Sequence, residues 1–190
     1  MTDLPPRRRI RDAELMRALA HPLRAALLSY LLSVGPRTAS DCATAVGSSA
    51  SNCSWHLRQL AQWGLVERVE AADGRERPWQ AIPVGLDFGD LEAPERRAVA
   101  GTWLREDEAL AQRFLDTVED LEPEWQQAAT MNGYSLRITP AELEALNVTI
   151  DALVRPYVAP IRTDAPPEAR PVRASWRAFL RIEADGRPST

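Results

Sequence analysis

The chain has 190 residues, 45% of them apolar and 26% charged, with a formal charge of −4. That is room for one large or two small domains around a buried core, while the lack of any apolar run of about 18 residues argues against a membrane span and two cysteines cannot make a disulfide framework. The charge is uneven: residues 1–85 hold 11 arginines against 8 acidic residues, a balance of +3, and residues 86–190 hold 12 against 19, a balance of −7, so a polyanion suits the first half and protein or solvent the second.

In chain order, Arg7, Arg8 and Arg9 come first. No apolar stretch with a cleavage site follows them, so no secretion signal is read and a cytoplasmic location is expected. The three arginines read as a mobile or loosely docked arm, with entry into a minor groove as the lesser alternative. "DAELMRALAHPLRAALLSYLLSVG" places Leu15, Leu19, Leu23, Leu27, Leu28, Leu31 and Leu32 at helical spacing. Asp12 can cap its start. Pro22 fits the first position of a helix and not its interior. The stretch therefore divides into helices over about 13–20 and 22–33, closed by Gly35-Pro36.

"TASDCATAVG" gives a helix of barely two turns, with Thr38 or Ser40 as its cap and Gly47 as its end. "SSASNCSWHLRQLAQWGL" then starts a helix at Ser49. Its inward face is Cys53, Leu57 and Leu60, and its outward face is Ala50, Ser51, Ser54, Trp55 and Arg58. Two short helices about Gly47-Ser48 make a helix-turn-helix, with the second suited to a major groove. Past Gly64, Val66 and Val69 on one side and Trp79, Ala81 and Ile82 on the other flank "AADGRER", in which Asp73-Gly74 is a hairpin turn. A two-stranded ribbon after a helix-turn-helix is a wing, with Arg75 and Arg77 at or just beyond its tip.

"ALAHPLRAALLSYL", "SSASNCSWHLRQLAQWGLVE" and the "DGRER" wing, in that order and separation, resemble the ArsR-like winged helix-turn-helix transcriptional regulators over about residues 10–83. The resemblance implies a homodimer on palindromic operator DNA, usually for repression. It also implies that Ala50, Ser51, Asn52, Ser54, Trp55, His56 and Arg58 form or flank the DNA-reading surface. One departure limits it. "SDCATAV" carries a single cysteine, Cys42, where metal sensors of the family often begin a cysteine pair, and the only histidines, His21 and His56, lie in the first half. Three or four convergent donors are needed for a zinc or soft-metal site, so no metal and no cofactor is expected.

In the second half, "APERRAVAGTWLREDEALAQRFLDTVEDLE" is a long helix whose stripe Val99, Trp103, Leu110, Phe114, Val118 and Leu121 suits packing on its own domain and across a two-fold axis. Glu122-Pro123 ends it. "EWQQAATMNGYSLRIT" reads as extended, with Tyr134, Leu136 and Ile138 alternating. Thr139 and Glu142 form a capping box around Pro140, opening a helix with Leu143, Leu146, Ile150, Leu153, Val154 and Tyr157 on its apolar face. After a proline-rich loop, "VRASWRAFLRIE" alternates as a half-buried strand, and its arginines 173, 177 and 181 suit ion pairs with the nearby acidic residues.

The expected fold class is α+β: a winged helix-turn-helix domain over 1–85, then a long helix with a strand–helix–strand unit over 86–190 for dimerisation or regulation. Cys42 and Cys53 stand where the pattern asks for apolar residues and read as core rather than as a redox pair. His56, at the edge of the reading face, reads as a phosphate or base-edge contact ahead of a buried role. His21, before Pro22, reads as a structural hydrogen-bonding residue. No catalytic constellation is present, so an enzyme is not expected. The sequence thus points to a DNA-binding regulator, with two alternatives left open. One is a winged-helix protein-interaction module using the acidic half. The other is a regulator answering to an unknown small-molecule effector held between the C-terminal sheet and helix 140–157.

Overall fold

The structure is a computed structural model describing residues 5–10, 12–70, 77–87 and 93–189. Four helices open the chain: α1 (Ala13–Leu19), α2 (Pro22–Val34), α3 (Ala39–Val46) and α4 (Ala50–Gln62). Their starts follow local chemistry. The Asp12 carboxylate accepts the amides of Glu14 and Leu15, satisfying two donors with no partner inside the helix. Pro22 is the first residue of α2. Thr38 and Asp41 form a capping box at α3, and the Ser49 hydroxyl accepts the Asn52 amide at α4. Gly47, with φ 65°, turns the chain out of α3 in the left-handed conformation that glycine adopts without a Cβ clash.

Two short ribbons complete this part. Strands β2 (Val66–Arg68) and β3 (Trp79–Ala81) pair antiparallel with Val66 opposite Ala81 and Arg68 opposite Trp79. The turn expected at Asp73-Gly74 lies outside the described residues. Trp79 also exchanges backbone hydrogen bonds with Arg37 at 2.7 and 3.0 Å, tying the wing to the start of α3. Strand β1 (Arg8–Arg9) runs parallel to β4 (Leu86–Asp87). This corrects the reading of a mobile or loosely docked arm. Arg8 donates to the carbonyls of Trp63, at 2.7 Å, and of Gly64, so a guanidinium closes the C-terminal end of α4 where its dipole favours a cation. Arg7 pairs with Asp151, and Arg9 lies 3.4 Å from Asp87.

A single apolar core joins these pieces. Leu19, Leu27, Leu28 and Leu31 from the first two helices meet Cys42, Cys53, Leu57 and Leu60 from the next two, with Leu65, Val66 and Trp79 from the wing. Both cysteines are buried and unpaired. Helix α5 (Ala93–Thr117) packs on α1 and α2. Val99, only 1% exposed, belongs to the same core, and the Thr102 hydroxyl donates to the carbonyl of Ala20 at 2.9 Å.

The C-terminal half departs from expectation. Pro123 starts a further short helix, α6 (Pro123–Ala128), where extended chain was expected; proline with Glu122 before it suits a helix start. Helix α7 (Pro140–Val154) forms as expected, with the Thr139–Glu142 capping box. The two flanking strands do not form: residues 129–139 and 168–181 are neither helix nor strand. Their alternation survives in a different form. Arg173, Ser175 and Arg177 all reach Asp107 on α5, while Trp176 donates its indole N–H to Asn147 on α7 at 2.7 Å. Alternate side chains thus go to opposite sides, and the segment hangs between two helices without a ladder partner. Among the described residues no sheet lies beside α7 to form the wall of the pocket expected there. No helix among the described residues is long and apolar enough to cross a membrane.

Candidate nucleic-acid interface

Helix α4 follows α3 after the turn at Gly47–Ser49, and its two faces differ sharply. Cys53, His56, Leu57 and Leu60 are buried, whereas Ala50, Ser51, Asn52, Trp55 and Arg58 are exposed and Ser54 is half-buried. Trp55, 49% exposed, is the largest apolar side chain on the open face. Arg58 donates to Ser54 Oγ at 3.1 Å. Asn52 donates to Ser48 Oγ at 3.1 Å, and the hydroxyls of Ser49 and Ser51 are 3.2 Å apart. The result is a small polar platform with one cation and one indole. The helix carries no acidic residue.

His56 belongs elsewhere. It is 6% exposed, because positions 53, 56, 57 and 60 share one helical face. Its ring lies 4.6 Å from that of His21 and meets Trp55 edge to face at 4.7 Å. It therefore backs the reading surface from inside, which corrects its expected place at the edge of that surface. Burial is the main cause that pushes both imidazoles below their usual range.

On the wing, Arg77 is exposed, and Arg75 lies outside the described residues. Arg68 was missed by sequence reasoning. It is exposed on β2, donates to the carbonyl of Arg77, and places its guanidinium 4.1 Å from the centroid of the Trp79 ring. Strand alternation gave no signal for it, because a residue two after buried Val66 is expected on the same face. Of the expected stripe, Val99 is buried, Trp103 packs partly against the core, and Leu110 and Phe114 on α5 and Val118 and Leu121 just past its end at Thr117 are half-buried. Among the described residues no three His, Cys, Asp or Glu side chains come together to hold a metal ion.

Residues 19–69 match the family described as a helix-turn-helix domain. No curated protein matches the chain. Solved structures similar to it include the YusO protein from Bacillus subtilis, 16% identical over 73% of this chain and 78% of that one, with a TM-score of 0.35. A MarR family transcriptional regulator from Silicibacter pomeroyi is 21% identical over 74% and 80%, with a TM-score of 0.32. MepR, a transcription regulator of the Staphylococcus aureus multidrug efflux pump MepA, is 17% identical over 75% and 86%, with a TM-score of 0.33. The three-helix core, the α3–turn–α4 unit and the β2–β3 ribbon define a winged helix-turn-helix domain, the domain class of DNA-binding transcriptional regulators.

Proposed function

We propose that the chain is a sequence-specific transcriptional repressor of the ArsR-like kind that binds operator DNA as a cytoplasmic homodimer, has no enzymatic activity and uses no metal or cofactor. The carrying observation is the exposed face of α4. Ser51, Asn52, Ser54, Trp55 and Arg58 stand together on a helix held rigidly from behind, with no carboxylate to repel phosphate. Arg58 suits a guanine edge, Asn52 an adenine edge, and Trp55 a thymine methyl. Arg77 and Arg75 on the wing, joined by Arg68, would take the backbone, contributing affinity without sequence preference. In this reading residues 1–85 read DNA and 86–190 bring two copies together, through the half-covered residues Leu110 and Phe114 of α5 and Val118 and Leu121 just beyond its end. Two-fold symmetry then sets half-sites about 34 Å apart.

A second reading, a protein-interaction module, is favoured by the exposed Met131, Tyr134, Leu136, Phe179 and Leu180 of the C-terminal half. One titration separates the two. Fluorescence anisotropy of the intact protein on the DNA upstream of its own gene, repeated over a range of salt, should show saturable binding. The logarithm of affinity should fall linearly with that of salt, with a slope of about −0.9 per phosphate contact. Retention of neither this DNA nor a scrambled duplex at low salt would leave the second reading.

A further inference from the structure

The only two histidines of the chain face each other behind the reading helix. His21 precedes Pro22 at the N-cap of α2, where its side chain makes no capping hydrogen bond. His56 is on the inner face of α4. The ring centroids are 4.6 Å apart with the planes tilted by 42°. The Nδ1 atoms of both rings are buried and have no hydrogen-bond partner among the described residues. We infer that this pair is a proton-sensitive seat for the reading helix: both rings are neutral when α4 is seated for DNA, and adding a proton at either ring unseats α4 and weakens binding.

Each neighbouring element argues the same way. From α2, Arg24 acts electrostatically on both rings. From α1, the carbonyls of Ala18 and Arg17 accept from Arg24. From α5, Thr102 binds the carbonyl of Ala20 and Arg105 binds Thr102, so the nearest charged side chain in that chain of contacts is another cation. From α4 itself comes Trp55, edge to face with His56. Among the described residues no carboxylate acts on either ring to balance a positive charge. A proton on His21 would also place a cation at the N-terminal end of α2, where the dipole opposes it. A proton on Nδ1 of His56 would create a buried N–H without an acceptor, which is costly. Burial, then Arg24, lower His21 below the ordinary histidine value of 6.5 against a smaller opposing effect of its own backbone, and burial, then the His21 ring and Arg24, lower His56.

The sign follows from linkage. A histidine whose folded state resists protonation lends stability above its unfolded value, and that stability is lost as pH falls through about 6.5 and below. Trp55 makes the link to DNA. It is the exposed indole of the platform, and its ring meets that of His56 nearly at right angles with centroids 4.7 Å apart.

The inference rests on the DNA-reading proposal, and its test separates the two. Anisotropy on the upstream duplex is measured at constant ionic strength from about pH 8 to about pH 5.5, across the histidine range. The wild-type affinity should fall by about tenfold, the equivalent of one pH unit of differential protonation. His21→Gln/His56→Gln, uncharged throughout, should hold its affinity or gain slightly as carboxylates neutralise. Should the double variant fail to fold, the imidazole resonances of the wild type decide: two signals are present, and both must titrate below the range of a free histidine. Tight binding at pH 8 that persists unchanged in acid, or two histidines titrating as free ones, overturns the inference alone. Absence of binding at pH 8 overturns the DNA reading and the inference with it.

Discussion

Arg58 is the one cation on the open face of α4, tethered to Ser54 at 3.1 Å and hence partly ordered before any partner arrives. Such preordering lowers the entropy lost on binding. Arg58→Ala should cost about 1–3 kcal/mol of specific affinity and relax preference at one half-site position. Arg77→Ala should instead weaken all duplexes alike and flatten the salt slope by about one unit if it meets one phosphate. Anisotropy on matched and mismatched duplexes reads both, and equal loss on both for Arg58→Ala would remove it from base reading. The cysteines lie on the opposite side of this logic. Burial pushes the Cys42 thiol up to about 11, with Cys53 and Asp41 adding to the effect, and burial likewise raises Cys53. The thiolate is the reactive form. Iodoacetamide at neutral pH should therefore leave both untouched in the native protein and label both after denaturation. Rapid native labelling, read by intact mass, would mean that the α3–α4 contact opens readily.

At the scale of the element, the first half was legible because each signal was local. Asp12, Pro22, Thr38, Ser49 and Gly47 act within a turn of themselves, and the periodicity of the leucines needs no knowledge of distant chain. His56 was misjudged because helical phase was weighed against residue type, and phase decided. The arginine arm was misjudged because its partners, the carbonyls of Trp63 and Gly64 and the carboxylate of Asp151, are remote in sequence. The last segment fails for a related reason. Period-two alternation establishes that residues 172–182 are two-sided but not what lies on each side, and a strand needs a ladder partner. One side found Asp107, whose side chain is only 12% exposed and takes Arg173, Ser175 and Arg177 together. Burial alone would push this carboxyl up, yet the Arg177, Arg173 and Ser175 donors outweigh it and hold it below the usual range. Asp107→Ala removes the acceptor shared by Arg173, Ser175 and Arg177. Limited trypsin digestion should then cut at Arg173 and Arg177 several-fold faster while the winged domain keeps its helical signal. The same release should follow acidification of the wild type, since a carboxylate with a depressed range loses its contribution as pH falls through that range. Unchanged cleavage would show that the Trp176 bond to Asn147 and the Arg170 pair with Glu122 hold the segment without Asp107.

For the molecule as a whole, the open question is what a second copy would cover. A single winged domain with one basic residue on its reading helix presents few contacts to DNA. Joining two domains makes the second engagement effectively intramolecular, which raises avidity without new contacts. Helix α5 offers the means. Its first turns are engaged by the core, with Val99 1% exposed and Thr102 bonded to Ala20, so the helix is fixed rigidly to the reading domain. Beyond them Leu110, Phe114, Val118 and Leu121 are only half-covered, and Leu104 and Leu115 are exposed on another face. Clusters of this kind mark an interaction surface, and a rigid α5 would set the spacing of two reading helices. Leu110→Glu/Phe114→Glu would place like charges against each other across a two-fold axis, which is costly once they are buried. Because both positions are half-exposed in one chain, the variant should keep its winged domain folded by circular dichroism. It should sediment as a monomer at micromolar concentration and lose operator affinity by far more than its stability changes. A variant that still sediments as a dimer would move the contact to the Leu104–Leu115 face or to the apolar residues of the C-terminal segment. A wild type that is already monomeric on its DNA would mean that the domain reads a single half-site.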